Sequence, residues 1–426
     1  MKTGLITAIL VIILPTILFA QSGYIEVNTP GNRQLKLLVE SPFSDPPLAT
    51  AEKAKLVSDI IAFDMNMSGI VTAESAKEPA NKSLSLVDVD FVPLLSSGYD
   101  FIVRGEYSLN DSLLTAEFRL FDVVNRKLIT AKRYLGASKD IRRFSHSFAD
   151  EILRVLTGER GVFTTKIAYV SKQTGNKEIY IMDWDGNNPL PLTKNGSINL
   201  NPDFSPDGRE IIFTSYKRGN PNLFRRSLSN TAEIAVSSRK GLNMTGAWSP
   251  DGSKIAIALS KDGDAEIYTL DKDGGNPKRL TINPALDLYP AWSPDGKQIA
   301  FISDRLGKPQ IFVMNADGGD VRRLTTSGSY NVNPRWSPKG DKIAYSRMTN
   351  DGFNIFTITP DGSLDRQLTF DGNNENPSWS ADGRFICFSS KRSSGNGVYV
   401  MRADGTGQIK VSEGKAPLFQ PAWSAL

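Results

Sequence analysis

The chain carries one histidine, His146, and one cysteine, Cys387. Those two counts remove most side-chain catalysis. A Ser-His-Asp arrangement needs its histidine beside the nucleophile. His146 lies far along the chain from the serine-rich motifs that fill the second half. It also sits off the apolar stripe of its own helix and reads as a surface side chain. No Gly-x-Ser-x-Gly elbow, Gly-x-Gly-x-x-Gly loop or Walker-type loop is present, and no Cys/His cluster has zinc spacing. Turns such as Asp183-Trp184-Asp185-Gly186 offer oxygens to calcium, but they lack the third aspartate and closing glutamate of a helix-loop-helix site. Catalytic residues, cofactors and metal ligands are therefore expected to be none. What remains is a set of polar residues ahead of proline: Asn201, Tyr289, Asn333, Asn376 with its neighbour Glu375, and Gln420. Their chemistry is hydrogen bonding, which suits the capture of a protein segment, although Asn-Pro equally serves to shape the entry to a strand.

The elements that must position these residues are set by a repeat. An aromatic-Ser-Pro-Asp-Gly motif begins at Phe204, Trp248, Trp292, Trp336 and Trp379, with Lys339 and Ala381 as local departures, and a shortened copy begins at Trp423. The lead aromatics are 44, 44, 44, 43 and 44 residues apart, the period of a four-stranded propeller blade. Within the third copy the pattern predicts strands at 289–293, 298–303, 310–314 and 321–325, joined by Asp-Gly hairpins. Equivalent turns recur at Asp185-Gly186, Asp273-Gly274, Asp361-Gly362 and Asp404-Gly405, and the second copy has Ser229-Asn230 instead. Six lead aromatics imply six blades. The last has only its first strand, so residues 421–426 are expected to pair beside Lys166–Ser171 and close the ring, removing its open edges. The polar residues above then fall in loops entering the first strands, around one mouth of the channel. The lead tryptophans read as core between blades. Cys387 occupies the second-strand position held by Ala168, Ala256, Ala300 and Ala344, and reads as a buried, inert thiol.

Residues 1–20 have a positive start at Lys2, an apolar run from Leu5 to Phe19, and Ala20 before a polar stretch. This is a secretory signal with cleavage expected near Ala20. The mature chain, expected to be soluble, has a net charge of about +3 with no run of five or six like charges, so a nucleic-acid tail is not indicated. A single exported cysteine leaves no internal disulfide. Residues 21–157 show no repeat and read as an α/β (α+β) domain. Its expected elements are a strand at 35–39, a helix from about 51 capped by Thr50, strands at 101–107, 113–123 and 127–135, and a helix over 139–156 capped by Ser138 and stopped at Gly158. Residues 158–165 form the linker, and 166–426 the propeller. The mature start, Tyr24-Ile25-Glu26-Val27-Asn28-Thr29-Pro30, reads either as a first sheet strand or as a mobile segment that adds to a partner's sheet.

Two stretches narrow the reading. Leu156-Thr157-Gly158-Glu159-Arg160-Gly161-Val162-Phe163-Thr164-Thr165-Lys166-Ile167-Ala168-Tyr169-Val170 at the junction, and Pro421-Ala422-Trp423-Ser424-Ala425-Leu426 at the end, resemble the TolB family of the Tol-Pal system. The resemblance implies a non-enzymatic periplasmic scaffold, expected to be monomeric, that supports outer-membrane integrity and invagination during cell division. It implies that the C-terminal domain of TolA binds at about Ser22 to Asn32, including Tyr24, Ile25, Glu26 and Val27. It further implies that the lipoprotein Pal binds at the propeller mouth, on the loops of Asn201, Tyr289, Asn333, Glu375, Asn376 and Gln420. The other readings are an exported propeller hydrolase or lyase using mouth carboxylates, and the gating propeller of a peptidase.

Overall fold

The computed structural model describes residues 34–44, 51–76, 82–110, 113–393, 395–414 and 416–425. The expected signal segment, Tyr24 to Val27 and the expected cap Thr50 lie outside the described residues. The first domain contains β1 (Leu35–Val39), α1 (Ala51–Ser68), β2 (Val71–Ser75), α2 (Phe91–Ser96), β3 (Phe101–Asn110), β4 (Leu113–Asp122), β5 (Lys127–Ala137) and α3 (Ile141–Thr157). The sheet order is β2-β1-β3-β4-β5, with β1 parallel to both neighbours and β3 to β5 antiparallel. Val57, Ile61 and Met65 of α1 share one buried cluster with Phe144, Phe148 and Ile152 of α3. Two elements have no counterpart in the sequence reading: β2, and the short α2 that begins where Asp90 accepts the Val92 N–H at 3.2 Å.

The cap of α3 differs from the expectation. Ser138 lies in a 3-10 turn over Ser138–Asp140, and Asp140 is the capping residue. The Asp140 carboxylate accepts the Ala137 N–H at 2.8 Å, closing the 3-10 turn that precedes the helix, and no side chain caps the first helical N–H groups of α3 from that position. At the other end Gly158 stops the helix in the left-handed region, with φ 78° and its N–H on the Arg154 carbonyl at 2.8 Å.

The second domain is a six-bladed propeller of four-stranded sheets. Its inner strands are Asn199–Phe204, Asn243–Trp248, Asp287–Trp292, Asn331–Trp336, Asn373–Trp379 and Leu418–Trp423. The last of these pairs antiparallel with Lys166–Ser171, Trp423 lying opposite Ile167, and so completes the blade begun after the interdomain segment. Ser424 Oγ accepts the Lys166 N–H at 3.0 Å, and the Trp423 indole donates to Thr165 Oγ1 at 2.7 Å. The Ser-Pro-Asp-Gly turns share one mechanism. Ser293 Oγ donates to Asp295 at 2.6 Å and accepts the Gln298 N–H at 2.9 Å, while Gly296 takes φ 70°, a conformation that glycine adopts without strain.

The outer strand of that blade is shorter than expected, Arg322–Arg323 in place of 321–325. The Leu324 and Thr325 N–H groups both point to the Ile311 carbonyl, at 2.8 and 3.3 Å, which ends the ladder. Thr325 Oγ1 then accepts the Ile311 N–H at 3.0 Å in its place. Thr193, Thr281, Thr369 and Ser412 make the same substitution in other blades.

Of the lead tryptophans, Trp248, Trp379 and Trp423 are buried and Trp292 and Trp336 are half-buried between blades. Cys387 is fully buried opposite Ser378 and Val400, and burial pushes its thiol well above the ordinary range.

Candidate functional site: the channel mouth and the domain joint

Asn201, Tyr289, Asn333, Asn376 and Gln420 were expected in loops entering the inner strands. The structure places them inside those strands. Each adopts a left-handed conformation, with φ 51°, 53°, 57°, 56° and 49°, and Thr245, at φ 56°, is the sixth member of the ring. Strand pairing shifts register just after each one. A left-handed residue followed by proline, which has no N–H for the ladder, makes a bulge and turns the strand around the channel axis. Thr245 escaped the sequence reading because glycine, not proline, follows it. The signal was its position, 44 residues from both Asn201 and Tyr289. A side chain at Gly246 would meet Leu223 at 2.9 Å.

The six side chains converge on a cavity of about 30 Å³, with Arg335 at its base. They link blade to blade. Gln420 Oε1 accepts the Asn201 N–H at 3.0 Å, Thr245 Oγ1 accepts the Tyr289 N–H at 3.3 Å, and Asn333 Nδ2 donates to Asn376 Oδ1 at 2.8 Å. Burial pushes the Tyr289 phenol above its usual range, so it serves as a neutral hydroxyl. Glu375 does not line the cavity; it accepts a hydrogen bond from Asn373 at 2.5 Å. Such a volume holds one or two waters. The loops that precede the inner strands reach the same end of the disk. Among them Ile282 and Phe370 are 78% and 75% exposed, and Leu286 and Tyr330 are also exposed.

His146 corrects the sequence reading more sharply. It is buried, 3% exposed, at the joint between the domains. Its Nδ1 lies 2.7 Å from Asp64 Oδ2 on α1, and its Nε2 lies 3.3 Å from Asp185 Oδ2 on a propeller hairpin. Arg142 pairs with the same Asp185 oxygen. Both ring nitrogens face carboxylates, so no nucleophile is served. Burial alone would lower the imidazole, but Asp64 and Asp185 raise it to about 10. Burial raises Asp64 to about 7 against the pull of His146. Asp185 is lowered to about 2: burial acts against this, and His146 and Arg142 outweigh it.

Around this relay the joint is continuous. Trp184 is fully buried, 5.4 Å from Phe63, 5.1 Å from Phe163 and 6.5 Å from Trp423 between ring centres. Asp150 holds the connecting segment, accepting from Phe163 N–H at 2.9 Å and the Thr164 hydroxyl at 3.0 Å. Arg384 pairs with Glu159 at 2.6 Å, and Arg402 donates to the Asn66 and Met67 carbonyls at 2.8 and 3.0 Å. The Asp183-Trp184-Asp185-Gly186 turn uses its acids internally, Asp183 with Lys166 and Asn188, and Asp185 as above. Among the described residues no group of three or more His, Cys, Asp or Glu side chains is placed to hold a metal ion, and no helix is long and apolar enough to cross a membrane.

Comparison with known proteins adds an independent line. Residues 153–426 match the model of the TolB beta propeller domain, and residues 23–129 that of the TolB amino-terminal domain. The Tol-Pal system protein TolB of Geobacter metallireducens is 54% identical over 213 residues, covering 49% of this chain and 48% of the relative. Its counterpart in Geobacter sulfurreducens is 48% identical over 210 residues, with the same two shares. The chain thus spans about half the length of the curated relatives it matches. The crystal structure of TolB from Acinetobacter baumannii superposes with a TM-score of 0.82 at 26% identity, covering 93% of this chain and 98% of that one.

Proposed function

The chain belongs to the TolB family, and from that premise we propose that it acts without catalysis as a periplasmic scaffold of the Tol-Pal system. The propeller mouth binds the peptidoglycan-associated lipoprotein Pal. The segment at about Ser22 to Asn32, with Tyr24, Ile25, Glu26 and Val27, binds the C-terminal domain of TolA. The chain thereby links the two and supports outer-membrane integrity and invagination during division. The observation that carries this reading is the mouth itself: a ring of neutral hydrogen-bonding residues, one from each blade, over a cavity too small for substrate. The signal-like first twenty residues support export to the periplasm, and scaffold action is proposed for a monomer.

A pull-down from envelope extract tests it. The wild-type protein is expected to recover a peptidoglycan-bound lipoprotein, and changes at Asn333 and Asn376 to abolish recovery. Recovery unchanged by those substitutions, or turnover of a sugar or peptide by the purified chain, overturns the proposal.

A further inference from the structure

On the face away from the mouth the channel widens into a bowl of about 320 Å³. Its walls are the six lead aromatics and the prolines of the turns beside them. Its floor is cut from the residues that precede the aromatics, among them Ala247, Ala291 and Ser378, with two charges, Asp203 and Arg335. Arg335 Nη1 lies 3.5 Å from Asp203 Oδ1, and the Arg335 side chain is 29% exposed. Among the described residues its guanidinium makes no hydrogen bond, so most of its five donors are unused. Asp203 is better served, accepting the Trp248 N–H at 3.3 Å on its other oxygen. The same arginine forms part of the small cavity under the mouth, so it is the partition between the two ends of the channel.

Apolar walls around a few convergent polar groups, at this volume, are the make-up of a ligand site. A planar guanidinium with donors to spare matches a carboxylate in a bidentate fork. We propose that the bowl binds a carboxylate carried on an apolar stem: the carboxylate takes the Arg335 donors that Asp203 leaves unused, and the stem packs on the indole and proline rings. The site is distinct from the mouth and open on the opposite face of the disk.

The test titrates three probes into the full chain and follows tryptophan fluorescence, since the walls report directly. The probes are acetyl-Leu-Leu with a free carboxylate, the same peptide as its amide, and hexanoate. A saturable response to either carboxylate is expected, with the amide at least about ten-fold weaker, the loss typical of removing a charge-assisted hydrogen bond. The stronger of the two carboxylates separates a peptide source from a fatty-chain source. Arg335→Gln should produce the same loss for the carboxylates while keeping a cooperative melt. Asp203→Asn, which keeps the acceptor for Trp248 but removes a neighbouring negative charge, should bind at least as tightly as wild type. Equal binding of acid and amide, no response to any probe, full binding by Arg335→Gln, or weaker binding by Asp203→Asn overturns the proposal.

Discussion

The domain joint and the channel mouth are both polar, yet they are built in opposite ways. At the joint, Asp64, His146, Asp185 and Arg142 come from a helix of one domain, a second helix of the same domain and a propeller hairpin, and Trp184, Phe163 and Phe63 pack together beside them. Nothing about them repeats, and every member is ionisable. At the mouth, one residue per blade occupies the same left-handed bulge and the six are neutral; Asn201 and Thr245 are buried and the other four half-buried. A buried charge network ties removal of one member to an unpaired charge left behind. Exchanging a member of a neutral ring leaves no unpaired charge behind. The joint therefore carries orientation, and the mouth is free to carry recognition.

This contrast can be broken experimentally, and ring closure is the step with the largest expected effect. Deleting residues 421–426 removes the pairing of Ala422 and Trp423 with Ala168 and Ile167 and reopens the blade that also touches the joint. Loss of the cooperative melt, with expansion in small-angle scattering, is expected. A deletion chain that melts as wild type and keeps the wild-type oligomeric state would refute the closed disk.

Next comes His146→Leu, which leaves Asp64 without its cation while Asp185 keeps Arg142. A loss of about 3–5 kcal/mol in chemical denaturation is expected, as for other broken buried pairs. Trp292→Ala should come close behind, at about 3–5 kcal/mol for an emptied aromatic site. An equal effect from Asn333→Gly would erase the distinction between joint and mouth. That mouth variant should leave stability within about 1 kcal/mol of wild type, because glycine relieves the left-handed backbone while one surface hydrogen bond is lost.

The joint also has a pH signature. Its histidine is raised to about 10, so its stabilising charge is fully present below the ordinary value of 6.5 and is lost as pH rises toward 10. Asp64, raised to about 7, acts in the same direction over its own range: the folded state holds a proton that the unfolded state releases, so stability falls from about pH 4 to about 7. Unfolding free energy of the wild type should decline between pH 7 and 10, and His146→Leu should flatten that slope. A slope unchanged in the variant would assign the decline to other groups.

The propeller was legible because a 44-residue period repeats the same local chemistry, so that the truncated copy at Trp423 could be matched to the strands missing at Lys166. The bulges were not, since a left-handed residue inside a strand leaves the sequence pattern of an entry loop; only the equal spacing of Thr245 exposes the ring. The joint was least legible. His146 lies 82 residues from Asp64 and 38 from Trp184, and a helical stripe identifies the residues facing its own sheet but not those facing a second domain. For the same reason β2 and α2 went unseen: each is short, and each is set by packing rather than by a periodic run.

The account turns most directly on whether the neutral ring recognises the partner. Titrating purified Pal into the wild type and into an Asn333→Gly, Asn376→Gly double variant, with the melting curve of each recorded alongside, separates recognition from folding. The prediction is an affinity loss of about ten-fold or more, the equivalent of about 1.4 kcal/mol, with melting nearly unchanged. Wild-type affinity in the double variant would contradict it.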